Sequence, residues 1–181
     1  MMHPMPAAES AVQLVVGPLR GYRYWHAEWE DGQAVLRSVY HATVWPPQGP
    51  LHAACERHPS LLGIWLRRLA LSPPPETHRA PCGTCECGIY ALTRFDAIEP
   101  RDLLPAETGE RTEDIFVLGV VLLWGRVVQH GHGYRAEYGR PVRLLTTPTL
   151  GRTGGIPSLL DAVATRYGIP LVTRIEELSV P

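Results

Sequence analysis

The sequence predicts an α+β fold, mainly antiparallel β, built as a small curled sheet or partly open barrel with two or three short helices. Three observations carry that prediction. Aromatic and β-branched runs flank two turn signals, Asp31-Gly32 and His130-Gly131-His132-Gly133. Helical patterning is confined to two short stretches, and glycines interrupt the longest apolar run.

Taken in chain order, residues 1–11 read as a disordered tail, because Pro4, Pro6, Ala7 and Ala8 offer no periodic apolar face. Residues 12–181 read as a single domain. Strands are expected near 21–29 and 34–40, joined by the Asp31-Gly32 turn. Trp45-Pro46-Pro47-Gln48-Gly49-Pro50 then forces an extended or turning path. Residues 56–77 form a helical, proline-ended arm: Ser60 caps a helix that runs to Leu71, and Pro73-Pro74-Pro75 stops it. A short strand is expected over 87–92, followed by an acidic, proline-broken, exposed connection over 96–114. The densest block then reads as a long hairpin with arms near 115–129 and 134–145, in which Gly119 and Gly125 mark bulges or sharp bends. A helix starting near Pro157 and stopping at Gly168, then a strand over 169–172, close the chain.

Composition bounds the function. At 181 residues the chain removes about 70% of its unfolded surface from water on folding, enough for a core. A formal net charge of -1 disfavours nucleic acid and anionic lipid as partners, since both need a basic excess. All 17 basic residues are arginine, which excludes a Schiff-base lysine and the phosphate-gripping lysine of a P-loop. No G-x-S-x-G, G-x-G-x-x-G or H-E-x-x-H occurs. Gly151-Arg152-Thr153-Gly154-Gly155 precedes a helix but reads as a linker rather than a phosphate cradle. The apolar runs Val12–Val16 and Ile115–Trp124 are too short for a membrane span, and the cytoplasm is the expected location.

The stretch HRAPCGTCECGIYAL places His78, Cys82, Cys85 and Cys87 within ten positions. In a reducing compartment such a cluster points to a metal before a disulfide framework. Zinc is the expected cofactor, taking thiolate and imidazole in a tetrahedral shell and tying residues 12–181 into one zinc-stabilised domain. Cys55, His78, Cys82, Cys85 and Cys87 compete for four positions, with His52 and His58 flanking the first. Cys82-x-x-Cys85 has knuckle spacing, while Cys85-x-Cys87-Gly88 is a tighter clip whose glycine admits backbone amides to the sulfurs. A redox thiol cluster and inert core cysteines are the alternatives. Burial alone suits Cys55 better than three cysteines within six positions.

VWPPQGPLHAAC, HRAPCGTCECGIYAL and VLGVVLLWGRVVQHGHGYRAEYGRPVRLL resemble, in order, the motifs of a family of uncharacterised bacterial and phage-encoded proteins. Those motifs are a WPPG-like turn followed by cysteine, H-x-x-P…C-x-C-G-I-[YH]-A, and W-G-x-V…H…G-[YW]-R-A-E. The resemblance covers most of residues 21–145. It implies Cys55, His78, Cys85 and Cys87 as the metal ligands, with Cys82 a local extra that could substitute, and makes the Ser60–Pro75 arm an enlarged family loop. Gln48 and Gly139 depart from the glycine and alanine of the pattern.

A second constellation, Trp124, His130, Tyr134, Arg135 and Glu137, is the candidate ligand-binding site. Arg135 and Glu137 share a face of their strand, with Trp124 expected near them on the facing arm. One reading is a polar pocket in which Arg135 binds an anion and Glu137 or His130 moves a proton. The favoured reading is an Arg135–Glu137 ion pair packed on an aromatic ring. Tyr22, Tyr24, Trp25 and Trp29 with Arg20 and Arg23 could stack on bases, but strand alternation buries half of them.

The expected function is therefore a non-catalytic, zinc-stabilised binding module. Its contact surface is the β face around Trp124 and Arg135, and its partner is a protein or small molecule. A zinc-dependent hydrolase or transferase with an open metal position is the alternative, and a nucleic-acid-associated factor is a further one.

Overall fold

The computed structural model describes residues 17–39, 43–55, 78–82, 85–95, 115–146 and 156–178. The tail over 1–11, the arm over 56–77 with its helix, the connection over 96–114 and the glycine-rich 151–155 lie outside the described residues. Asp31 and Gly32 take φ of 50° and 74°, the paired positive values of the two-residue turn whose twist matches its strands. Those strands are β1 (Leu19–Glu30) and β2 (Gln33–Ser38), antiparallel from Glu30↔Gln33 to Trp25↔Ser38.

Two short strands follow, β3 (Leu51–His52) and β4 (Ile89–Leu92). The long hairpin is β5 (Ile115–His130) and β6 (Gly133–Leu145), turning at Gly131-His132 with Gly131 at φ 39°. Then come helix α1 (Ile156–Tyr167), strand β7 (Leu171–Val172) and a single 3-10 turn, Ile175–Glu177. Gly168, at φ 63°, stops α1 as its position in the sequence predicts. Among the described residues α1 is the one α-helix, fewer than the two or three expected. No helix among them is long and apolar enough to cross a membrane.

β6 is the organising strand. One edge pairs with β5, and the other takes β4 (Ile89↔Ala136 to Leu92↔Gly133) and β3 (Leu51↔Gly139, His52↔Tyr138). β5 pairs in turn with β1, and Tyr22↔Leu92 links β1 back to β4. The pairings thus run β1–β5–β6–β4–β1 in a partial ring whose last link is one residue pair, so the sheet is curled without being a barrel. β7 joins the end of β6 in parallel, a direction that apolar patterning does not encode.

The bends come from two irregularities along the β5–β6 ladder. Trp124 faces Tyr138 and Val127 faces Ala136, so Gly125 and Arg126 together oppose Glu137, with Gly125 at φ 79°. This is a bulge with glycine in the left-handed region. The other shift lies between Val120 and Val121, beside Gly119 rather than at it. Gly119 has a different role: a Cβ there would overlap the Arg143 carbonyl oxygen and come within 2.9 Å of Leu144 Cδ2.

Alternation along β5 sends Val117, Val121 and Leu123 to the main core and Leu118 and Val120 to a smaller one with Leu145 and Leu178. In the main core the rings of Trp25 and Trp45 meet edge-on at 5.4 Å. α1 closes it with Leu159, Leu160, Val163 and Tyr167. The Tyr167 hydroxyl accepts from the Leu36 amide at 2.9 Å and donates to the Trp45 carbonyl at 2.8 Å. One side chain of the C-terminal helix thereby fixes both the first hairpin and the entry to the proline turn. Trp25 is fully buried, so it cannot stack on a base; Trp29 is exposed.

Candidate metal centre

Cys55, His78, Cys85 and Cys87 reach one point from separate parts of the chain. Cys55 follows β3, His78 opens the described loop ahead of β4, and Cys85 and Cys87 lead directly into β4. Their four ligand atoms all lie within 4.8 Å of one another. Cys55 Sγ is 3.9 Å from Cys85 Sγ, and His78 Nε2 is 3.0 Å from Cys85 Sγ and 3.4 Å from Cys87 Sγ. A tetrahedral ion with metal–sulfur bonds of about 2.3 Å and a metal–nitrogen bond of about 2.0 Å has edges of about 3.5–3.8 Å. The Cys55–Cys85 and His78–Cys87 separations are of that size, while His78 Nε2 to Cys85 Sγ, at 3.0 Å, and Cys85 Sγ to Cys87 Sγ, at 2.8 Å, are shorter. Three thiols and an imidazole are a donor set suited to a metal ion, and this cluster could hold one. Cys82 stands outside the four, with its sulfur 3.5 Å from that of Cys85.

Backbone geometry explains the local clip. The Cys87 amide donates to Cys85 Sγ at 3.4 Å, and the Cys82 amide donates to Cys87. Gly88, at φ 129°, has no room for a side chain, since a Cβ would lie 3.1 Å from both Arg135 Cβ and Pro81 Cβ. Electrostatics within the cluster is uneven. Burial tends to raise the Cys85 thiol, yet hydrogen bonds from Cys87, its amide, Cys82 and Cys55 outweigh that and bring it down to about 7. Burial, reinforced by the contact with Cys85, pushes Cys87 up to about 12, and burial likewise raises Cys55. Crowded thiols therefore share a single easily lost proton, and a cation supplies the charge that lets the others ionise.

β6 holds all three ligand segments. The Arg135 guanidinium donates to the Cys85 carbonyl and lies over the Tyr90 ring at 5.9 Å. Glu137, only 1% exposed, accepts from the Arg79 guanidinium next to His78 and from the Arg126 amide at 3.1 Å. Its carbonyl accepts from the Ala53 amide at 2.8 Å, two residues before Cys55. His52 Nε2 is 3.7 Å from Glu137 Oε1. The Arg79 hydrogen bond holds the Glu137 carboxyl below the usual carboxylate range, against the opposing pull of burial. Its contribution to stability is therefore complete above the unfolded carboxyl's pKa and is lost as pH falls through the depressed folded value. The Glu137 carboxylate reaches the cluster through Arg79 rather than by touching one of the four residues, so Glu137→Gln is expected to weaken metal retention by up to about tenfold in a chelator competition. Unchanged affinity would contradict this role.

The second constellation divides. The Arg135–Glu137 ion pair expected from the sequence is not formed, because each side chain reaches a different part of the cysteine loop: Arg135 the Cys85 carbonyl, Glu137 the Arg79 guanidinium. Trp124 is not beside Arg135. It faces and stacks on Tyr138 with centroids 5.9 Å apart, and Tyr138 stacks on His52 at 4.8 Å, while Arg135 faces Val128. Register alone, counted from the turn, would set Trp124 opposite Gly139; the bulge at Gly125 and Arg126 moves it one residue, to Tyr138. His130 meets Tyr90 edge-on at 5.7 Å; burial and then the Arg135 charge lower its pKa. Tyr134 packs against the main core. His52, singled out in the sequence beside Cys55, lies outside the four and against Glu137 and Tyr138, while Arg79, Arg126 and Tyr138 are the site neighbours that sequence reading missed. Only Arg79, beside a ligand histidine, carried a signal.

Compared with protein-family models, with curated proteins and with solved structures, the chain finds no match in any of the three.

Proposed function

We propose that Cys55, His78, Cys85 and Cys87 hold one zinc ion as a closed structural site and that the chain is a zinc-stabilised binding module without catalysis at the metal. The observation that carries this is the mutual approach of all four ligand atoms within 4.8 Å, from residues up to 32 positions apart. Four protein donors fill a tetrahedral shell, whereas a hydrolytic or transfer centre keeps one position for water or substrate. Zinc is favoured over harder cations by the thiolates, and bound there it contributes folding energy.

The contact surface belongs to the stacked row Trp124, Tyr138 and His52, which crosses β5, β6 and β3 beside the centre. Arg135, 8% exposed, supports the loop from beneath rather than meeting a partner. A protein or small molecule is the proposed ligand, with nucleic acid disfavoured by the net charge of -1. The cytoplasm, where thiols stay reduced, is the proposed location. The proposal includes membership of the bacterial and phage-encoded family whose motifs the chain resembles.

Metal analysis of protein purified without chelator tests the reading. About one zinc per chain is expected from a closed four-ligand site. Protein that is folded and free of metal would overturn it.

A further inference from the structure

Cys82 is the cysteine that a closed site leaves over. The four ligand positions are filled by Cys55, His78, Cys85 and Cys87, yet the Cys82 sulfur lies 3.5 Å from that of Cys85 and the residue is partly exposed. A thiol is therefore held against a ligand sulfur, three residues away in the chain, with solvent access. The C-x-x-C spacing is one at which a disulfide closes readily. The nearer pair, Cys85 and Cys87 at 2.8 Å, consists of two ligands separated by one residue, so joining them would close a tighter ring and remove two donors at once. Joining Cys82 to Cys85 removes one.

We infer that Cys82 is a redox modification site through which hydrogen peroxide releases the metal. This rests on the reading of the four residues as a zinc site. The Cys82 sulfur attacks the peroxide oxygen, the O–O bond breaks, and a sulfenic acid forms as the first water leaves. The Cys85 sulfur then attacks the Cys82 sulfur, moving the electron pair of its metal bond into the new S–S bond. The departing hydroxide takes a proton from solvent and leaves as a second water. Two sulfurs are oxidised, one peroxide is reduced, and only Cys55, His78 and Cys87 remain to hold an ion, which three donors would retain less tightly than four against a competing chelator.

The test treats the zinc-loaded full chain with hydrogen peroxide and follows zinc with a chromogenic chelator while mass spectrometry maps the disulfide. Zinc is expected to appear in step with a Cys82–Cys85 bond and to rebind after reduction. Cys82→Ser is expected to bind the same amount of zinc and to release it about tenfold more slowly, because the sulfur that attacks the peroxide is gone. Equal release rates in the two proteins, or a disulfide between other cysteines, would overturn the inference. Should the chain carry no zinc, the metal reading fails separately: a Cys82–Cys85 disulfide on peroxide treatment would still support the thiol pair, and its absence would sink it.

Discussion

Cys87→Ala is expected to leave the protein unfolded at neutral pH, and a strong chelator is expected to do the same to the unaltered chain. With zinc bound as proposed, the ion contributes on the order of 10 kcal/mol, while the net stability of a domain is about 5–15 kcal/mol, so its loss removes most or all of the margin. The geometry makes the loss global. Cys87 enters β4, Cys55 leaves β3, and both strands pair with β6 through short ladders of four and two residue pairs. Such short edges have little hold of their own once the ion no longer joins them. Circular dichroism with thermal melting reads the outcome. A variant with the melting temperature of the parent would show that the sheet closes without the centre.

The second large effect is independent of metal. Gly119→Ala is expected to destabilise the fold by about 3 kcal/mol or more, because its Cβ would press into backbone rather than into a movable side chain. The atoms it meets are the Arg143 carbonyl oxygen, Leu144 Cδ2 at 2.9 Å and Trp25 Cζ3 at 3.1 Å. β6 is held there by β5 on one edge and β7 on the other, and Trp25 is fully buried against Trp45. Gly131→Ala is the comparison: nothing lies within 4 Å of its Cβ, so it carries only the strain of a positive φ, about 1 kcal/mol. Denaturant titration separates the two. Equal midpoints would remove the close approach at Gly119 as a determinant of the curled sheet.

Much of the architecture follows from local chemistry. Asp31-Gly32 can adopt paired positive φ cheaply, which is why the first hairpin was readable to within a few residues. The glycines at 125 and 168 likewise stand where a bulge and a helix stop need them. What sequence alone could not give was lateral neighbours. Alternation puts Arg135 and Glu137 on one face, but the loop that covers that face is chosen by the pairing of β3 and β4 with β6. Neither strand exceeds four residues, too few to declare a register. The distance of Trp124 from Arg135 is set by the hairpin register, which places Arg135 opposite Val128, and the bulge changes the partner of Trp124 from Gly139 to Tyr138.

The metal cluster was legible in part for the same reason. His78, Cys82, Cys85 and Cys87 are close in sequence, so spacing finds the cluster without choosing among its members. Cys55 lies 30 residues before Cys85 and was one of five candidates for four positions until the resemblance favoured it; in the structure their sulfurs are 3.9 Å apart. The supporting Arg79–Glu137 contact spans 58 residues and had no local signature beyond the adjacent histidine.

X-ray absorption at the zinc edge on chelator-free protein tests the central claim most directly. The account predicts about three sulfurs at about 2.3 Å and one nitrogen at about 2.0–2.1 Å, the shell of Cys55, His78, Cys85 and Cys87. A shell of four sulfurs, which would put Cys82 in place of His78, or one with an oxygen donor and an open position, would contradict it.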